Sequence, residues 1–210
     1  IVLLILGYIF LGKPYIAKNQ LEKGNELRDS GKVELAIEMY TKAIEFDKDL
    51  YPSYLERGKM YFTIDSFEKA LNDFNVFLTA DEQNQEVWML KGKSLFQLER
   101  FQKSLEAFKT ANRIDESGQT LFYLGLTSLQ LDDYNGALEY FNSSISNDSL
   151  FAPAYYNRGI AKANLENFVG AGEDYQVAVE ICGSGVNAFR IASGNKKNSY
   201  SGFHLLLEEL

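Results

Sequence analysis

Residues 53–81 read SYLERGKMYFTIDSFEKALNDFNVFLTAD, and Gly58, Ala70 and Phe74 within them decide the fold. The stretch has helical spacing, yet a glycine inside a helix costs about 1 kcal/mol against alanine. Close contact accounts for it. A residue without a side chain lets a second helix, carrying small Ala70, pack against its backbone. Tyr61 and Phe74 are then expected to fill the space beside that contact.

The pattern recurs along the chain. Gly24, Gly58, Gly92, Gly125 and Gly159 are separated by 34, 34, 33 and 34 residues. Twelve residues after each stands Ala36, Ala70, Ser104, Ala137 or Ala171, and four further on stands Tyr40, Phe74, Phe108, Phe141 or Tyr175. Period and pattern resemble the tetratricopeptide repeat, a helix–turn–helix unit. The resemblance covers residues 17–185. It implies an all-α, right-handed solenoid of about five helix pairs, each burying its face against its neighbours. For function it implies a binding scaffold, because chemistry resides in sites and not in folds.

Composition agrees with a packed protein. The 210 residues are 46% apolar and 14% aromatic, which excludes a disordered chain. A formal net charge of −8 argues against nucleic acid as the partner. Cys182 is the only cysteine, so no intrachain disulfide can form.

The chain starts at Ile1 and not at methionine, which leads us to expect a fragment or a processed product. Residues 1–12, IVLLILGYIFLG, carry no charge. They fall short of the ~18–20 residues that span a bilayer. The expectation is that residues 1–16 are the end of a membrane anchor or the remnant of a signal segment, placing the protein at a membrane or outside the cytoplasm. Lys13–Pro14 is expected to break that run.

Gly31 marks the turn inside the first repeat. The residue missing from the 33-residue step lies between Ala111 and Gly125, where an inter-repeat turn can absorb it. The proline that commonly ends such repeats is replaced by Lys48, Glu82, Glu116, Ser149 and Gly183. Just before those positions stand Asp47, Asp81, Asp115 and Asp148, expected to cap the helix that follows. After the fifth unit the triplet stops. Residues 186–210 are expected to form an irregular tail that ends in a short amphipathic helix, FHLLLEEL, covering the last repeat or lying in the groove.

No catalytic constellation, cofactor motif or metal-ligand spacing is visible in the sequence, so the expected activity is not enzymatic. His204 has no nucleophile at a recognisable spacing, and Cys182 reads as a buried structural thiol. What remains is a groove. In the family that this chain resembles, the first helix of each pair lines the concave side. The residues three before each marker glycine are Leu21, Leu55, Met89, Phe122 and Tyr156. One after the glycine stand Asn25, Lys59, Lys93, Leu126 and Ile160; four after it stand Arg28, Phe62, Phe96, Leu129 and Ala163. The groove thus reads as polar and cationic at its N-terminal end and apolar from the middle onward. The expected function is a protein-interaction scaffold that takes a peptide or partner protein there, with Lys59 and Lys93 meeting acidic groups. Two other readings stay open: an accessory module of a larger enzyme or transport complex, and a self-assembling scaffold.

Overall fold

The computed structural model describes residues 12–183. Ten helices follow one another: α1 (Lys13–Asp29), α2 (Val33–Phe46), α3 (Tyr51–Thr63), α4 (Phe67–Leu78), α5 (Gln85–Gln97), α6 (Phe101–Ile114), α7 (Gly118–Gln130), α8 (Tyr134–Asn147), α9 (Ala152–Asn164) and α10 (Phe168–Gly183). Among the described residues there is no strand. Each odd-numbered helix packs on the even-numbered helix after it, and each even-numbered one on the next odd-numbered helix. The result is an all-α solenoid of five helix pairs, referred to below as repeats 1 to 5.

The marker glycines are needed for a sharper reason than the sequence suggested. A Cβ on Gly24, Gly58, Gly92, Gly125 or Gly159 would lie 2.4, 2.7, 2.5, 2.5 or 2.5 Å from the ring of Tyr40, Phe74, Phe108, Phe141 or Tyr175. The aromatic ring itself therefore sits on the glycine, where the small residue had been expected. Tyr40, Phe74, Phe108 and Phe141 are wholly buried. Burial pushes the Tyr40 hydroxyl up to about 12. Its Oη donates to Asn25 Oδ1 at 3.0 Å, which satisfies the one polar atom of the ring. Ser104 keeps the small-residue position in repeat 3 and uses its hydroxyl, donating to the Gly92 carbonyl at 2.9 Å.

The turns within the repeats share one backbone device. Gly31, Asp65, Glu99, Asp132 and Glu166 all have positive φ, between 57° and 72°. Only the first is glycine, so four turns hold an acidic residue in the left-handed region. That conformation costs roughly 1 kcal/mol per residue. The 33-residue step falls in the link at residues 115–117, outside both helices, as expected.

The capping expectation is corrected. Asp47, Asp115 and Asp148 end the preceding helix in an extended conformation and do not cap the next one. Asp47 and Asp148 instead accept from the N–H two residues on, at Asp49 and Leu150. The side-chain caps are Asn84, Ser117, Asp133 and Asn167, which accept from the N–H of Val87, Thr120, Gly136 and Gly170. Asp81 accepts from Asn84 Nδ2 at 3.0 Å and so holds a cap residue in place. At the N-terminal end Lys13–Pro14 opens α1, with the proline in the first turn, where its missing N–H is no loss. The anchor expected upstream and the FHLLLEEL tail lie outside the described residues.

Two buried clamps fasten repeats 2 and 5. Arg57 Nε and Nη2 donate to the two carboxylate oxygens of Asp73, both at 2.8 Å. Arg158 does the same to Asp174, at 2.9 and 2.6 Å. In each case the arginine precedes the marker glycine and the aspartate precedes the aromatic. The third nitrogen reaches back to the preceding repeat, from Arg57 to Thr41 Oγ1 at 3.1 Å and from Arg158 to Asn142 Oδ1 at 2.7 Å. Repeat 5 adds Lys162, whose Nζ lies 2.9 Å from Asp174.

Burial pushes the Asp174 carboxyl up, but the bonds from Arg158 and Lys162 outweigh it and hold the group below its ordinary value. A carboxyl depressed on folding adds stability that is complete above its unfolded pKa and is lost as pH falls through the folded one. The urea midpoint of Asp174→Asn is thus expected to lie below that of the parent at pH 7. The gap should close as both are titrated below pH 4; a gap independent of pH would show that the carboxylate charge contributes nothing.

Candidate peptide-binding groove

The first helices α1, α3, α5, α7 and α9 line one side of the solenoid. They also touch one another directly, α1 with α3, α3 with α5 and α7 with α9. The residues assigned from sequence to this side are all on these helices, but they do different things there.

Met89 and Phe122 are buried, at 6% exposure each. Met89 belongs to the core with Phe108 and Leu124. Phe122 is set edge-on to Phe151, with centroids 4.9 Å apart. These two build the floor and are not open contact surface. Leu55, Tyr156 and Ile160 are half-buried, and so are Leu126 and Leu129, which pack on the core around Phe122. Phe62 and Phe96 are half-buried and each meets the first residue of the helix that follows, Phe67 or Phe101, edge-to-face at 5.5 and 5.4 Å. Repeat 5 has Ala163 at this position, and its counterpart Phe168 is left 68% exposed.

Charged residues on this side form a chain of contacts that sequence reading missed. Arg28 on α1 pairs with Glu56 on α3. Glu56 lies 3.7 Å from Lys59, and Lys59 lies 2.8 Å from Glu86 on α5. Ion pairs thus cross from repeat 1 to repeat 2 and from repeat 2 to repeat 3. One step further the pattern changes. Lys93 occupies the position of Lys59, but Glu56 is matched by Leu90, and Glu86 by Gln119. Lys93 Nζ lies over the ring of Tyr123 on α7, 4.6 Å from its centroid. Among the described residues it makes no ion pair. Burial pulls its pKa down. Tyr123 in turn stacks on Phe108, with centroids 5.2 Å apart and planes 21° apart. From Tyr123 onward the side is apolar.

The missed partners left a signal in the sequence. Arg57 and Arg158 share one position of the repeat, Asp73 and Asp174 another, and the two are 16 residues apart in both cases. Among the described residues no cluster of His, Cys, Asp or Glu could hold a metal ion, and no helix is long and apolar enough to cross a membrane.

Fold and inner face together define a helical-repeat interaction module. Tetratricopeptide repeat family models match residues 17–50 and 55–118. The two matches identify tetratricopeptide repeats in this chain. The chain is 39% identical over 62 residues to tetratricopeptide repeat protein 12 of Homo sapiens, a match covering 30% of this chain. The chain covers 9% of that relative's length. Among solved structures it resembles MamA, with TM-score 0.77 and 21% identity over 83% of this chain and 96% of that one. It also resembles YrrB, described as a TPR protein with an unusual peptide-binding site. There the TM-score is 0.71 and the identity 26%, over 77% of this chain and 84% of the other.

Proposed function

We propose that the protein is a non-catalytic scaffold that holds a peptide segment of a partner protein along the side formed by the first helices. The observation that carries this is the row Leu126, Leu129, Tyr156 and Ile160. These large apolar side chains stay half-open on one side of α7 and α9, while the aromatic rings between the helix pairs are closed off from water. An apolar side open to water favours a partner that covers it. The peptide-binding site named for YrrB supports the same reading. The charge-free run at residues 1–12 supports a membrane tether upstream of the solenoid.

Ile160 gives the clean test, because it belongs to no core cluster. Peptides selected by the full chain from a random displayed library are expected to be lost with Ile160→Glu, with the far-ultraviolet circular dichroism unchanged. Retention of the same peptides by that variant would place binding on another surface. The tether is tested by sedimentation: the full chain is expected to pellet with membranes and to be released by detergent but not by salt.

A further inference from the structure

Resting on the peptide-binding reading above, we infer that the groove is specific for a segment bearing an aspartate or glutamate side chain beside apolar residues. The carboxylate would sit on Lys93 and the apolar side chains along Leu126, Leu129 and Ile160.

The argument is a comparison of two lysines at one repeat position. Lys59 is satisfied within the protein: Glu56 and Glu86 lie 3.7 and 2.8 Å from its ammonium. Lys93 has neither, since Leu90 and Gln119 replace those two acids. Its only charge-stabilising neighbour among the described residues is the face of Tyr123. A half-buried ammonium that has lost water without gaining a carboxylate is held in an unfavourable state, which its lowered pKa also reflects. An incoming carboxylate removes that deficit. It cannot be drawn with equal force to Lys59, because Glu56 and Glu86 already hold that site and would repel it.

The position of Lys93 sets the direction of the ligand. N-terminal to it, the inner side is occupied by the contacts among Arg28, Glu56, Lys59 and Glu86. C-terminal to it, the side is apolar, with Leu126, Leu129 and Ile160 only partly buried. The bound segment therefore extends from Lys93 toward repeat 5. Lys59 is removed from the set of ligand-contacting cations.

The test uses the full chain and a random library displayed as an N-terminal fusion, so that every selected carboxylate is a side chain. Parent selections are expected to enrich Asp or Glu next to Leu, Ile, Phe or Met. With Lys93→Met the acidic preference should vanish while apolar preference persists, and a selected acidic peptide should bind about tenfold more weakly, the scale of one hydrogen bond to a charged group. Lys93→Arg and Lys59→Met should both keep the acidic preference. Peptides enriched without acidic residues would overturn the inference and leave the groove reading standing. So would an acidic preference that survives Lys93→Met or is lost with Lys59→Met. Absence of any enriched peptide would overturn the groove reading itself.

Discussion

Phe108→Ala is expected to lower stability by about 3–5 kcal/mol, the usual cost of truncating a fully buried phenylalanine. The ring has 0% exposure, covers Gly92, and supports Tyr123 from below. Its loss empties the close contact of repeat 3 and removes the support beneath the Lys93–Tyr123 pair. A coupled experiment tests the geometry more sharply. Gly92→Ala alone puts a methyl 2.5 Å from the ring and should destabilise. In the Phe108→Ala background the obstacle is gone, and the same change should stabilise by about 1 kcal/mol, the helix preference of alanine over glycine. Urea midpoints of the four proteins decide it. If Gly92→Ala has the same effect in both backgrounds, the ring does not rest on the glycine.

The second large effect is expected at the repeat 2 clamp. Asp73→Ala leaves Arg57 without its carboxylate in a site where the two side chains are 16% and 5% exposed. Breaking a buried pair in this way costs about 3–5 kcal/mol, because a charge remains with no counter-ion. Replacing both partners, as Arg57→Met with Asp73→Leu, should recover most of the loss, since desolvation and attraction disappear together. Arg57→Lys should not substitute, because one ammonium cannot make the two parallel bonds to Asp73 and a third to Thr41. A melting temperature for Asp73→Ala within a degree or two of the parent would show that the clamp contributes no net stability.

The fold was legible because its determinants are local. Gly58, Ala70 and Phe74 lie within one unit, and their recurrence in phase needs no knowledge of neighbours. The groove was legible only as a set of positions. Whether Met89 is floor or contact surface depends on Phe108 and Leu124, and whether Lys59 is free depends on Glu86 in the next repeat. Such relations follow from the stacking of units, which one unit's sequence does not state. The clamps lie between these cases. Arg57–Asp73 and Arg158–Asp174 recur in phase in only two of five repeats, a weaker signal than the fivefold triplet, and the sequence reading missed them. The capping expectation failed for a related reason. An aspartate before a helix can cap it or turn the chain ahead of it, and here the N-cap position falls to a residue nearer the helix, Leu50, Asn84, Ser117 or Phe151.

Arg57 and Arg158 do more than close their own repeats. Each bonds back to its predecessor, tying repeat 2 to repeat 1 and repeat 5 to repeat 4. Among the described residues no ion pair crosses the join between repeats 3 and 4; there Gln85 Nε2 donates to Thr120 Oγ1 at 3.2 Å and Tyr123 lies between Phe108 and Lys93. Mechanically the solenoid is two stapled blocks meeting at a greased hinge. A segment anchored at Lys93 and reaching to Ile160 would bridge that hinge like a splint, so that occupancy of the groove would be felt as stiffness along the whole rod.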